Sequence, residues 1–402
     1  RDLHSFPTRR SSDLVGDMKR FFVSVISFLV IASTVSLGVS VQSFAYDGYE
    51  RQVFRTFGAD RYETAILIAD ELKSQLEVDF FDCIVVASGK DYPDALSAGP
   101  LAIMQRAPVL LWSPERNETI NTYIKNNLIE GGRLYLVGGP AVVGDDVTQG
   151  INCESKRLWS SDRYYTNLAV MQEENITGNV SVCSGKSFAD ALSAAATGTP
   201  ILLVGDELMA DQRELLQSKL SWIYQDGKPV NYYISGGLAV VGQSIVDELP
   251  YKCANSGTME RMDGVNRYDT AIKTANVFYG LQHLTDVMLV SGSNFPDGLS
   301  ASVLAYYRNK PVLLSDNHAM GQPFNLIHGM GVSGVHIIGG PTFIEDFASG
   351  TQTVPDGPYN VNGTYYYIKD GFVVMKPFIV DGYEVVPNEH SGAIPSEYSW
   401  IF

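Results

Sequence analysis

The sequence predicts an α/β protein built of three tandem three-layer α/β modules with mostly parallel sheets, followed by a small C-terminal β-hairpin region. Three observations carry this expectation. A hexapeptide recurs as Asp60-Arg61-Tyr62-Glu63-Thr64-Ala65, Asp162-Arg163-Tyr164-Tyr165-Thr166-Asn167 and Asn266-Arg267-Tyr268-Asp269-Thr270-Ala271. The arginines stand about 100 residues apart, too far for a solenoid unit and far enough for a small domain. Three further landmarks follow each copy in the same order: a loop (Gly89 to Ala98, Gly185 to Ala194, Gly292 to Ala301), a Pro-led apolar run (Pro108-Val109-Leu110-Leu111, Pro200-Ile201-Leu202-Leu203, Pro311-Val312-Leu313-Leu314) and a double glycine (Gly138-Gly139, Gly236-Gly237, Gly339-Gly340). Within each copy, short β-branched runs alternate with helical periodicity.

In the first copy, Ala65, Ile66, Ile68, Ala69 and Leu72 fall at helical spacing behind a capping box from Asp60 to Glu63, so a helix starts at the signature. Cys83-Ile84-Val85-Val86-Ala87 reads as a buried strand that ends in a glycine-containing loop. A second helix starts near Pro93, and Val109 to Trp112 is a strand. Glu118 to Leu128 is a helix and Arg133 to Val137 another strand. Buried strands separated by helices require a sheet covered on both faces. Beyond Gly340, Thr351 to Pro358 has linker composition. The aromatic alternation from Asn362 to Val374 around Asp370-Gly371 is a hairpin signal, with a second turn at Asp381-Gly382. Hairpins alone are marginal in water, so this tail either packs on the modules or begins a longer β region.

At the N-terminus, residues 1–17 resemble translated sequencing adapter and are set aside. Residues 18–45 have a basic start at Lys19-Arg20, an apolar stretch and a small-x-small site at Ser43-Phe44-Ala45, the pattern of a secretory signal peptide, with an uncleaved membrane anchor as the alternative. The expected division is then 52–150, 154–250 and 258–349 for the modules and 359–402 for the aromatic tail. After signal cleavage no segment reaches membrane-spanning length. The formal charge of −16 counts against a nucleic-acid partner held by a positive field. Cys83, Cys153, Cys183 and Cys253 match no zinc spacing, and buried thiols and disulfides remain equal alternatives.

The four landmarks, taken together, resemble the cell wall-binding type 2 modules of Gram-positive surface proteins and autolysin-associated proteins. The resemblance covers about residues 52 to 345. It implies three modules packed as a pseudo-threefold unit that holds the chain non-covalently on anionic wall polysaccharide or a teichoic-acid-like polymer, with a secreted, cell-surface location. It implies no enzyme activity and no cofactor. A cell wall hydrolase fragment with its catalytic domain outside this chain, or a surface-layer or adhesin component, is the alternative. Module two departs from the pattern at Asn167 and Ala189, and module three at Asn266, Gly298 and Thr342-Phe343-Ile344.

The candidate ligand-binding residues are the ones that recur. Arg61, Arg163 and Arg267 each sit just inside a helix N-terminus, where the macrodipole disfavours a cation, so another group must hold them. One reading pairs them with Asp94, Asp190 and Asp297 of the same module; the other offers each planar guanidinium to phosphate or carboxylate groups of a polymer. Lys90 and Lys186 lie in loops at the C-terminal ends of strands, where α/β sheets bind ligands, and Ser293 replaces them in module three. Tyr62, Tyr164 and Tyr268 either stack on sugar rings or pack on a neighbour. No catalytic or metal site is expected. His283, His318, His328, His336 and His390 do not recur, read as scattered surface residues, and leave Ser97, Ser193 and Ser300 without a repeated base.

Overall fold

The computed structural model describes residues 39–46, 49–330, 332–345, 356–369, 372–380 and 383–398. Residues 1–38, the linker residues 351–355 and the turns Asp370-Gly371 and Asp381-Gly382 lie outside them. The expected leader therefore falls mostly outside the described residues, and its last part, 39–45, lies in Val39–Tyr46 (β1), which pairs antiparallel with Tyr49–Thr56 (β2).

The chain is α/β, with mostly parallel sheets in three similar modules and antiparallel hairpins at the C-terminus. The first sheet runs β4-β3-β5-β6, from Val109–Trp112, Phe81–Ser88, Leu128–Val137 and Cys153–Leu158. The second runs β10-β9-β7-β8, from Met259–Met262, Asn231–Ser235, Asn179–Ser184 and Ile201–Val204. In the third, β1 and β2 extend β13-β11-β12, from Gly334–Ile338, Asp286–Ser291 and Val312–Ser315. Central strands such as Ile84 to Ala87 are buried on both faces, which explains why they read as continuous apolar runs.

Sheets and sequence repeats are out of phase by one strand. The strand that precedes each signature helix pairs with the sheet of the module before it: β6 with β5, β10 with β9, and β2 with β13, all parallel. The last of these closes a ring, because β2 comes from the start of the chain and β13 from the end of the third repeat. A buried polar network seals the seam. His336 Nε2 lies 2.8 Å from Thr56 Oγ1, its Nδ1 lies 3.0 Å from Arg308 Nη1, and Arg308 pairs with Glu71 at 2.8 Å. His336 and His328 are buried rather than on the surface: His336 replaces the tyrosines found at this strand position elsewhere, and His328 stacks on Phe324 and meets Phe372 edge to face.

The signature helices are Arg61–Leu76 (α1), Arg163–Glu173 (α4) and Arg267–Tyr279 (α8). Asp60, Asp162 and Asn266 cap them by accepting from the backbone N–H groups two and three residues on. The expected capping box is shifted by one residue: Glu63 accepts from Ala59 N at 2.7 Å, not from its own cap. The helices that follow the loops, Ala98–Gln105 (α2), Ala189–Ala195 (α5) and Pro296–Tyr307 (α9), converge on the pseudo-threefold axis. Their small residues permit it. A Cβ on Gly99 would stand 2.9 Å from Ser302 Oγ and 3.1 Å from Ala195 Cβ.

The tail is part of module three rather than a separate unit. Gly357–Val361 (β14), Thr364–Lys369 (β15) and Phe372–Val373 (β16) form an antiparallel sheet whose Val361, Tyr366, Ile368 and Val373 join that module's core. Tyr366 also donates its hydroxyl to Asn317 O at 2.9 Å. Sharing a core supplies the burial that an isolated hairpin lacks. The four cysteines are all free, with Cys83 and Cys183 buried. Among the described residues no helix is long and apolar enough to cross a membrane.

Candidate functional site

The recurring arginines and loop aspartates meet at the junctions between modules, not inside them. Each signature arginine is anchored first within its own module: Nη1 of Arg61, Arg163 and Arg267 donates to the loop carbonyls of Gly89 (2.7 Å), Gly185 (2.7 Å) and Gly292 (2.6 Å). These carbonyls offset the unfavourable helix N-terminus. The guanidinium then projects onto the loop aromatic of the preceding module. Arg61 lies 5.8 Å from the Phe295 ring centroid, Arg163 5.8 Å from Tyr92 and Arg267 5.5 Å from Phe188. Those three rings form a triangle on the axis, with centroids 5.5, 5.7 and 6.0 Å apart.

The loop aspartates follow the same cyclic order. Arg163 acts on Asp94, Arg267 on Asp190 and Arg61 on Asp297, so the same-module pairing expected from the sequence is replaced by a pairing across junctions. The physical reason is the start of the central helix, the first turn at Asp190 and Asp297 and the 3-10 turn leading into it at Asp94, which places each Asp beside the next signature helix. No carboxylate lies within 4.0 Å of the three arginines among the described residues, so the coupling is through space and not a closed ion pair. Burial pushes all three carboxyls up, Asp297 to about 6, with the arginines pulling the other way; Thr166 and Thr270 also hold Asp94 and Asp190 down by hydrogen bonding.

Each Asp sits against the double glycine of its own module. Gly138, Gly236 and Gly339 have φ of +118°, +112° and +111°, and a Cβ there would stand 3.3, 3.0 and 2.7 Å from Oδ2 of Asp94, Asp190 and Asp297. Positive φ and a carboxylate at contact distance together require glycine. At two junctions these groups line cavities. One of about 420 Å³ includes Arg61, Asp297, Asn294, Gly340 and Phe343; one of about 210 Å³ includes Arg267, Asp190, Gly237 and Val240. At the remaining junction the Trp159 ring leans on Gly139.

The other candidates stand elsewhere. Lys90 and Lys186 are exposed and paired with Glu115 (2.7 Å) and Asp206 (2.5 Å), outside both cavities. Tyr62, Tyr164 and Tyr268 lie edge-on to Gly89, Gly185 and Gly292 within their own modules, and Tyr268 is hydrogen-bonded to Asp316. Sequence reasoning missed a second triplet, Arg55, Arg157 and Arg261. Their Nη1 groups donate to Gly339 O (2.6 Å), Gly138 O (2.7 Å) and Gly236 O (2.9 Å), fixing the double-glycine turn from the strand that closes the sheet. The signal was present: each stands six residues before a signature arginine.

The cyclic arrangement of three repeats has a family counterpart. The model of cell wall binding domain 2 matches residues 55–148, 157–246 and 261–348, most of the described chain. The chain belongs to the cell wall binding domain 2 family. Membership supports binding to the cell wall and a wall or surface location. Among curated proteins, the chain is 26% identical to the N-acetylmuramoyl-L-alanine amidase LytC of Bacillus subtilis (strain 168) over 275 residues, 66% of this chain and 51% of that protein. It is 24% identical to the amidase enhancer of the same organism over 326 residues, 79% of this chain and 41% of that one. This family member thus spans about half the length of these relatives or less. Cwp6 and Cwp8 from Clostridium difficile share its fold, each with a TM-score of 0.60, at 19% and 24% identity. The matches cover 78% and 72% of this chain and 51% and 49% of those chains.

Proposed function

We propose that the three modules anchor the protein non-covalently to an anionic polymer of a Gram-positive wall, a polysaccharide or teichoic-acid-like chain, through the junction cavities. The observation that carries this reading is the repetition of one arrangement, an arginine over an aromatic ring beside a buried aspartate and a double glycine. A guanidinium with only one N–H committed to the loop carbonyl keeps a fork for phosphate or carboxylate oxygens. Like sites on one rigid ring gain avidity on a repeating polymer although each is weak. In this reading residues 52–150, 154–250 and 258–349 are the binding units, and 18–45 is the leader that directs the chain outside. Arg61, Arg163, Arg267, Asp94, Asp190 and Asp297 face the polymer; Tyr62, Tyr164, Tyr268, Lys90 and Lys186 support the loops around it.

Cosedimentation of the chain with purified Gram-positive walls tests the reading. Binding is expected to disappear when the anionic polymers are stripped chemically from the walls and to weaken with salt; equal binding to stripped walls refutes it. The likeness to an amidase and to an amidase enhancer favours a second reading, in which the modules address a wall-acting unit that lies outside this chain. Zymography on peptidoglycan checks both readings, since clearing by these 402 residues alone would make the chain itself lytic and overturn them.

A further inference from the structure

The middle module holds a cavity that the wall-polymer reading leaves unused. It is about 490 Å³ in volume and opens between Arg163–Glu173 (α4) and Ala210–Gln225 (α6). Its apolar side includes Leu168 and Leu215, and its other walls carry Trp159, Asp211 and Glu214. The Trp159 side chain stands 50% exposed, where the sister repeats have Phe57 and Asp263. Leaving an indole half in water forfeits burial that a smaller residue would not need.

The charge of the cavity is uncompensated. Among the described residues no cation lies within 4.0 Å of Asp211, Glu214 or the nearby helix cap Asp162. In module one the acidic groups are partnered instead: Arg116 pairs with Asp60, the counterpart of Asp162, and Tyr123 donates its hydroxyl to Asp70 at 2.7 Å. Module two has neither bond. Asp211 pushes the Tyr165 phenol above its ordinary pKa.

Two carboxylates in one cavity with a half-exposed indole select a cation carried on a flat apolar surface. A pyranose bearing an ammonium group has both parts: its C–H face stacks on the indole, and its charge meets the carboxylates. N-acetylation removes the charge and adds bulk at the same atom. We propose that this cavity binds amino sugars with a free ammonium group, a glucosamine unit being the simplest, and so gives the middle module a second specificity opposite in charge to that of the junctions.

Titration calorimetry of the full chain with a glucosamine tetramer and with its N-acetylated counterpart tests the proposal. The amine form is expected to bind saturably and the acetylated form about tenfold more weakly or worse. Trp159→Ala and the double variant Asp211→Asn with Glu214→Gln are each expected to weaken binding about tenfold, the double variant with its unfolding midpoint unchanged. General attraction of a polycation to an acidic protein would survive the loss of two among 45 acidic residues. Absence of binding, equal affinity for the two tetramers, or binding that the double variant leaves intact overturns the proposal. If Trp159→Ala does not fold, the double variant, which changes charge and little volume, decides alone.

Discussion

Asp297→Asn should stabilise the protein at neutral pH, and only there. The carboxyl is 8% exposed, and burial raises its pKa from 3.8 to about 6 despite Arg61. A shift of about two units at ~1.4 kcal/mol each makes the ionised group cost about 3 kcal/mol in the folded state relative to the unfolded chain. The sign follows from the raised folded-state value: the stabilising contribution is complete below about pH 3.8, declines as pH rises, and is gone above about 6. Asparagine keeps the shape and never ionises. Urea unfolding of both proteins should therefore give nearly equal stabilities at the acid end of this window and a variant more stable by about 3 kcal/mol, to within a factor of two, above it. The difference between the two curves isolates this residue from Asp94 and Asp190, which titrate in both proteins. A difference that does not change with pH, or a variant less stable at neutral pH, would refute the claim that desolvation outweighs Arg61. If the same carboxyl also faces an anionic polymer, wall binding by the unsubstituted protein should strengthen as pH falls through about 6, where the repulsive charge is removed.

Three other substitutions test the junctions. Asn167→Ala restores the residue of the sister repeats but should cost about 2–4 kcal/mol, because Asn167 donates to Ile201 O and Ser97 Oγ and accepts from Leu203 N in a fully buried site; chemical unfolding reads it directly. Gly339→Ala should cost about 2–3 kcal/mol, from a φ of +111° and a Cβ 2.7 Å from Asp297 Oδ2, whereas Gly227→Ala, at positive φ with open space around it, should cost less by the same assay. Tyr92→Ala removes one corner of the aromatic triangle, the ring under Arg163 and a hydroxyl bond to Lys186 O, and should lower the unfolding midpoint by the equivalent of about 2–4 kcal/mol. A loss below about 0.5 kcal/mol would mean that the triangle does not couple the modules.

Much of the fold was legible because it is local. Capping side chains, β-branched runs and glycine-bounded loops act through neighbours in sequence, so the signature helices and parallel strands could be read one module at a time. The hairpin tail was legible as strands, but not its docking, since Tyr366 and Val373 meet module three through tertiary contacts. Asn167 looked like a departure from the repeat, and its role emerges only where it bridges Ser97 and the backbone of β8. His328 and His336 were misread for a related reason. Failure to recur says nothing about burial, and His336 does not recur because it serves the one seam that joins the two ends of the ring.

By itself, the sequence determined which residues matter: triplication marked the arginines, the loop aspartates and the double glycines, and the Arg55, Arg157 and Arg261 triplet was there to be found. Only the tertiary structure decided whom each residue faces. Strand exchange displaces every sheet by one strand relative to its repeat, so that Arg61 meets Asp297 and Phe295 rather than Asp94 and Tyr92. The physical reason is that a repeat carries identical partners in every copy. Same-module and next-module pairings are then indistinguishable in sequence, and the choice falls to helix packing on the axis and to the backbone hydrogen bonds that dock β2 beside β13.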